Sequence, residues 1–94
     1  MKEYKIIIEP EAIEDLINIK TYITKNDTIT KANTFIKELQ SKIQTLQNMP
    51  QRCRKSLYTK EKNTFDLIYK GYTIVFKIVE NNVHILTIFR QRNY

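Results

Sequence analysis

The chain is short of the residues that most metal and phosphate sites require. It holds one cysteine, one histidine and one glycine, and no tryptophan, among 94 residues. One cysteine and one histidine cannot furnish a typical structural zinc site, and one glycine cannot build a glycine-rich phosphate loop. A lone cysteine also excludes an internal disulfide, so the sequence predicts a protein of the reducing cytoplasm. We expect no metal and no cofactor.

Long apolar runs are scarce as well. Runs such as Ile6-Ile7-Ile8 are far too short to span a bilayer, and the first residues lead into a strand-like segment rather than a secretory signal. We therefore expect no membrane contact. With only one glycine and two prolines the chain is neither a linker nor disordered. Its length predicts a single domain over residues 1–94.

Positive charge is in excess. Sixteen basic residues against ten acidic ones give a formal net charge of +6, which favours a polyanion or an acidic protein as partner. Many small basic domains bind no polyanion, so distribution matters more than the total. The densest segment follows the second predicted helix, and a second group lies at the C-terminus: Arg52, Arg54, Lys55, Lys60 and Lys62, then Arg90 and Arg92.

The first half of the chain predicts a strand and two helices. Residues 4–9 form a β-branched run that stops at Pro10, a residue suited to the first turn of a helix. We expect this helix to end near residues 25–27, and the second to begin at a Thr28 or Thr30 cap and to close at Pro50. The residues expected to face the core of the first helix are Ile13, Leu16, Ile17 and Ile23, flanked by Ile19 and Tyr22. Those of the second are Ala32, Phe35, Ile36, Leu39, Ile43 and Leu46.

The second half predicts three strands, over residues 64–69, 72–80 and 83–89. Lys70-Gly71 turns the chain between the first two, and Asn81-Asn82 is expected to form the next hairpin turn. The order β-α-α-β-β-β indicates an α+β fold. We expect an antiparallel sheet with the αα-hairpin packed on one face, the other face remaining open.

Isolated reactive residues are better explained by structure than by catalysis. His84 alternates with apolar neighbours in the last strand and is interpreted as a half-exposed sheet residue. Cys53, between two arginines, could be an activated thiolate, but no histidine stands near it in the sequence and we interpret it as an incidental thiol. Glu11, Glu14 and Asp15 suit the positive end of the first helix. Hydrolytic enzymes of the usual kinds are disfavoured.

The pattern as a whole resembles the RelE/ParE superfamily, the toxins of type II toxin–antitoxin systems. The resemblance rests on "EAIEDLINIKTYI", "KANTFIKELQSKIQTLQNMP", the basic loop and "YKGYTIVFKIVENNVHILTIFRQRN", in that order. It covers nearly the whole chain, and the helix spacing is closer to the ParE-like branch. It implies a cytoplasmic toxin that inhibits DNA gyrase and that a cognate antitoxin holds inactive, with operator DNA bound only through the antitoxin.

The RelE-like branch implies another activity, cleavage of mRNA on the ribosome. Its members use basic residues around the scissile phosphate and a C-terminal Tyr or His. Arg92 matches the arginine at the end of the last strand, Arg52, Arg54 and Lys55 occupy the basic loop, and Tyr94 could substitute by position for the Tyr. The match is incomplete, because Ile68 and Thr73 stand where further arginines are expected and the extension bearing the catalytic Tyr is missing. Ribosome and mRNA are thus the alternative partners, and a relic that retains only antitoxin binding is a third possibility.

The C-terminal residues Arg90, Arg92 and Tyr94 allow two interpretations. They can form a cationic, aromatic surface beside Arg52, Arg54 and Lys55 for a target or a nucleic acid. Alternatively, a strand simply runs into solvent, where charges maintain solubility and blunt the sheet edge. Two arginines plus the basic loop favour the first interpretation slightly.

Overall fold

The computed structural model describes residues 3–90 and gives the predicted element order with one short strand added. Strand β1 covers Lys5–Ile8, and helices α1 and α2 cover Pro10–Asn26 and Ile29–Gln44. Two short 3₁₀ turns, Thr45–Gln47 and Pro50–Arg52, lead to β2 at Arg54–Lys55. The remaining strands are β3 at Thr64–Tyr69, β4 at Tyr72–Val79 and β5 at Asn82–Arg90.

Five strands form one sheet in the order β1-β5-β4-β3-β2. Strand β1 runs parallel to β5, with Ile6 opposite Val83, whereas the other neighbours are antiparallel. The predicted α+β architecture is therefore confirmed, with a sheet that is mixed and not wholly antiparallel because β1 runs parallel to β5. A bulge at Leu86 lets Val75 pair with Thr87 and Phe76 with Ile85.

The core lies between the helical hairpin and one face of the sheet. Thr28 caps α2, its hydroxyl accepting a hydrogen bond from the Lys31 amide at 3.1 Å. The predicted apolar face of α2 is confirmed, since Ala32, Leu39 and Ile43 are buried. The sheet contributes alternate residues of β4 and β5 to the same cluster: Tyr72, Ile74, Phe76, Val83, Ile85 and Ile88.

The prediction for α1 was confirmed for Leu16, which is buried, and for Ile23, which packs against the core, but was wrong for Ile13 and Ile17. Its buried residues are Ala12, Leu16 and Ile19, whereas Ile13 is 47% exposed and Ile17 is 58% exposed. Sequence reasoning weighted the larger side chains, but the small Ala12, fully buried, lets the helix backbone lie close to its neighbours. The face that α1 turns to the core is therefore set by Ala12, not by the isoleucine beside it.

The last hairpin turn is shifted by one residue from the prediction. Val79 pairs with Asn82, so the turn consists of Glu80 and Asn81, and Glu80 has φ +56°. Asn82 cannot belong to the turn because it is already paired on both sides, with Val79 and with Lys5 of β1. The other predicted turn, Lys70-Gly71, is confirmed, with φ values of +46° and +82°.

The sheet face opposite the helices is less open than predicted. The chain between β2 and β3 crosses it, and the ring of Tyr58 meets that of Phe89 edge-on at 4.8 Å between centroids. Thr73 and Val75, which point to this face, are buried. Within residues 3–90 no helix has the length and apolar content to cross a membrane.

Candidate functional site

The most concentrated positive charge lies on the segment that crosses the sheet, residues 52–63, here termed the cationic loop. It begins at the end of a 3₁₀ turn and includes β2, which pairs only with β3. Five basic side chains of this loop are exposed to solvent: Arg52, Arg54, Lys55, Lys60 and Lys62. This charge density favours an anionic target or an acidic protein surface.

A buried carboxylate anchors the beginning of the cationic loop. The side chain of Asp66 is fully buried, and its Oδ2 lies 3.6 Å from Nε of Arg54. The same oxygen accepts a hydrogen bond from the Leu57 amide at 3.1 Å. Because a buried charge requires partners, Asp66 fixes both the Arg54 guanidinium and the path of the chain at Leu57.

Short-range hydrogen bonds order the rest of the loop. The Tyr58 amide donates to Ser56 Oγ at 3.2 Å, and the Glu61 amide donates to Thr59 Oγ1 at 3.2 Å. The Ile78 amide donates to the Asn63 carbonyl at 2.9 Å, which holds the end of the loop against β4. Such side-chain-to-backbone bonds stabilise turns without regular structure, so the basic residues stand on an ordered backbone.

Apolar side chains project beside the positive charge. Leu57 is 72% exposed and Tyr58 is 49% exposed, and Met49, just before the loop, is 69% exposed. Exposed apolar groups flanked by charge are typical of protein-binding surfaces. Sequence reasoning missed Leu57 and Tyr58, although an apolar pair inside a basic, polar segment could have indicated them.

The two isolated reactive residues are not assembled into a catalytic site. Nδ1 of His84 lies 3.0 Å from Oε1 of Glu9, a pairing that sequence reasoning missed. Burial raises the pKa of the Cys53 thiol and outweighs the opposing effect of the Arg52 charge. A raised pKa disfavours the reactive thiolate at neutral pH. Among residues 3–90, no three metal-ligating side chains lie together.

Comparison with protein families identifies the fold's relatives. Residues 6–94 match the family described as ParE toxin of type II toxin-antitoxin system, parDE. This match extends over nearly the whole chain. The chain belongs to the ParE toxin family.

Solved structures agree with this ParE-family fold. The chain is similar to a structure of the chromosomal ParDE toxin–antitoxin system from P. aeruginosa, with a TM-score of 0.83 and 15% identity over 96% of this chain and 98% of that one. It is also similar to the RelBE2 toxin–antitoxin complex from Mycobacterium tuberculosis, with a TM-score of 0.64 and 20% identity over 99% and 97% of the two chains. A comparison with curated proteins found no significant match.

The ParE-family structure separates the sequence-predicted site residues into two groups. Arg52, Arg54 and Lys55 lie together at the beginning of the cationic loop. Arg90 lies on β5, three strand spacings from β2, a lateral distance of about 14 Å. It pairs with Tyr72, whose side chain faces the helices, whereas Arg54 pairs with Asp66 on the opposite face. Arg92 and Tyr94 lie outside the described residues, so the shared working surface stays a prediction.

Proposed function

We propose that this ParE-family chain is a toxin that inhibits DNA gyrase and that a cognate antitoxin neutralises it. The observation that carries the proposal is the family match over residues 6–94. ParE-like toxins, as the sequence resemblance implies, act on gyrase without cleaving RNA. The exposed Leu57 and Tyr58 beside the cationic loop offer a mixed apolar and basic surface that suits a protein target.

The surroundings of His84 and Arg54 also favour binding over RNA cleavage. In-line cleavage requires a general acid and base close to the cations that stabilise the phosphate. His84 is engaged with Glu9 and lies on β5, several strands from Arg54. Arg54 itself is paired with the buried Asp66. These contacts serve structure more readily than catalysis.

An antitoxin partner follows from the same family. The similar solved structures belong to the ParDE toxin–antitoxin system and the RelBE2 toxin–antitoxin complex. On this chain, a groove of about 360 Å³ lies along the helical hairpin, with Ile23 and Phe35 in its lining and Glu38 at its side. An apolar groove of this kind suits a helix or an extended segment that folds on binding.

Gyrase inhibition is tested with the purified chain, gyrase and plasmid DNA. We expect inhibited supercoiling and accumulation of cleaved DNA, both prevented by prior addition of the cognate antitoxin. Induced expression should arrest growth and activate an SOS reporter. Cleavage of transcripts on translating ribosomes, with supercoiling unchanged, would contradict the proposal. Arg92→Ala and Tyr94→Phe should then abolish that cleavage, whereas a gyrase inhibitor tolerates Tyr94→Phe.

A matched pair of variants tests whether the cationic loop carries the activity. Arg52→Gln with Lys55→Gln removes two charges from the loop, and Lys20→Gln with Lys37→Gln removes two exposed charges from the helices. We expect gyrase inhibition to weaken about tenfold in the loop variant and less than twofold in the helix variant. Equal losses would show that total charge, and not the loop, determines inhibition.

A further inference from the structure

A cavity lies between β2 and the far end of the cationic loop, bordered by three of the loop's five exposed basic residues. Its volume is about 430 Å³, and its lining includes Lys55 from β2, Lys60 and Lys62 from the loop, and Phe65 from β3. Within residues 3–90, none of these three lysines forms an ion pair. The cavity is therefore bordered by three positive charges that the described residues do not neutralise.

Glu61, the one acidic residue in the lining, forms an ion pair with a lysine of β4. Oε2 of Glu61 lies 3.5 Å from Nζ of Lys77, which is outside the lining. The Glu61 carbonyl accepts a hydrogen bond from Thr64 Oγ1, and its amide bonds to Thr59. These hydrogen bonds fix the turn that carries Lys60 and Lys62, and Lys77 compensates the charge of the Glu61 carboxylate. Excess positive charge on an ordered loop favours binding of an anion.

The geometry favours a phosphate backbone over stacked bases. Proteins that hold single-stranded nucleic acid combine basic grooves with exposed aromatic rings. The aromatic residue in this lining, Phe65, stacks against Phe76 with ring centroids 5.7 Å apart and thus belongs to the core. Tyr58, the exposed aromatic residue of the same loop, is outside this lining, and its ring packs edge-on against Phe89. Lysines without a stacking ring among them suit the regularly spaced phosphates of a duplex.

We infer that Lys55, Lys60 and Lys62 bind the phosphate backbone of duplex DNA, independently of its sequence. This inference rests on the proposed function, since gyrase holds a DNA duplex that a bound toxin can contact. It assigns the loop a second role beside protein contact: Leu57 and Tyr58 face the protein, and the lysine-bordered cavity faces the DNA. Operator recognition remains with the antitoxin, because lysine contacts to phosphates carry no sequence information.

Direct binding of DNA to the toxin alone tests the inference without gyrase. The probe is a labelled mixed-sequence duplex of about 30 base pairs, followed by fluorescence anisotropy as NaCl is raised. The test variant carries Lys55→Gln, Lys60→Gln and Lys62→Gln. The control variant carries Lys20→Gln, Lys25→Gln and Lys37→Gln, which are exposed helix lysines. Thermal unfolding verifies that both variants fold, and glutamine preserves most of the side-chain length.

We expect the variant with Lys55, Lys60 and Lys62 changed to Gln to bind the duplex at least about tenfold more weakly at low salt. The slope of its log affinity against log salt concentration should be smaller in magnitude by about two to three. The control variant with Lys20, Lys25 and Lys37 changed to Gln should retain the wild-type slope. Equal losses in both variants would overturn the inference, as would absence of wild-type binding. Preference for a single-stranded RNA of the same length would overturn the assignment to duplex DNA. If the variant with Lys55, Lys60 and Lys62 changed to Gln still inhibited gyrase fully, the proposed function would stand, but contact of these lysines with the DNA held by gyrase would be ruled out as a part of inhibition.

Discussion

At the residue scale, Asp66 shows what sequence patterns miss. The alternation in TFDLIY correctly placed Phe65, Leu67 and Tyr69 toward the core, and the same alternation assigns Asp66 to the opposite, solvent-facing side. The side chain is instead fully buried, because the cationic loop covers it. Periodicity describes a strand and its faces, but it cannot show which distant segment will lie over a face.

Removing the Asp66 carboxylate should loosen the loop. Asp66→Ala leaves the Leu57 amide and Arg54 without their partner, and we expect a loss of about 2–4 kcal/mol in the free energy of unfolding. Asp66→Asn keeps an acceptor for the Leu57 amide and should lose less. Urea unfolding measures the energies, and hydrogen exchange at the Leu57 amide reports the local opening.

The control for Asp66 is an exposed acid. Asp27 pairs with Lys31 at 3.2 Å on the surface of the molecule, so Asp27→Ala should cost about 0.5 kcal/mol or less. If Asp66→Ala were as mild as Asp27→Ala, the buried carboxylate would not anchor the loop.

At the element scale, α1 illustrates why a helix is easier to predict than its orientation. Its limits were correct because Pro10 begins it and the polar segment after Asn26 ends it. Its buried face was correct for Leu16 and Ile23 but not for Ile13 and Ile17, because isoleucines recur all round the helix and the deciding residue, Ala12, carries little hydrophobic signal. Orientation depends on how closely α1 approaches the sheet, which is a tertiary property.

Two neighbouring residues test that orientation. Leu16→Ala should lower the free energy of unfolding by about 2–4 kcal/mol, because Leu16 belongs to the core. Ile17→Ala, one position along and 58% exposed, should change it by about 0.5 kcal/mol or less. Urea unfolding of the two variants measures both changes in the free energy of unfolding. A cost for Ile17→Ala as large as that for Leu16→Ala would mean that Ile17 faces the core as predicted, contrary to the observed orientation.

A polar clamp joins α2 to the hairpin of β3 and β4. Nζ of Lys70 lies 2.9 Å from Oε2 of Glu38, and the Tyr69 hydroxyl donates to the same oxygen at 2.8 Å. The hydrogen bonds from Lys70 and Tyr69 lower the pKa of Glu38. The hydrogen bond from Lys70 to Glu38 is the main cause of the raised pKa of Lys70, and the neighbouring Tyr69 hydroxyl adds to it.

The clamp predicts a dependence of stability on pH. A lowered pKa in the folded state means that Glu38 stabilises the fold above its unfolded pKa and loses that contribution as pH falls through the folded value. Lys70, with a raised pKa, contributes below its unfolded pKa and loses that contribution as pH rises through the folded value. Urea midpoints should therefore decline below about pH 4 and above about pH 10.

Glu38→Gln should reduce both declines, since it removes the carboxylate on which both shifts depend. Glu14→Gln, which removes one exposed carboxylate from α1, serves as the matched control for the loss of one negative charge. An unaltered profile in Glu38→Gln would show that other groups determine the pH dependence.

At the scale of the whole molecule, the first strand closes the fold by joining the last. Each strand was predicted separately, but the parallel pairing of β1 with β5 links residues nearly eighty positions apart, such as Lys5 and Asn82. No local signal specifies such a pair, and an antiparallel order was the simpler expectation. The cationic loop has the same origin: its charges are evident in the sequence, whereas its path across the sheet depends on Asp66, Tyr58 and Phe89.

The net charge of +6 predicts how salt affects the whole chain. Surface ion pairs such as Lys31–Asp27 and Lys77–Glu61 contribute little each, whereas repulsion among the excess positive charges acts throughout the fold.

We expect the free energy of unfolding to rise by about 0.5–1 kcal/mol between roughly 0.05 and 0.5 M NaCl, as screening weakens that repulsion. Urea unfolding at each salt concentration measures the effect. The variant with Lys20, Lys25 and Lys37 changed to Gln has half the net charge and, because repulsion scales with the square of that charge, should show about a quarter of the increase. A fall in stability with salt would mean that specific ion pairs, led by Arg54–Asp66 and Lys70–Glu38, outweigh the repulsion.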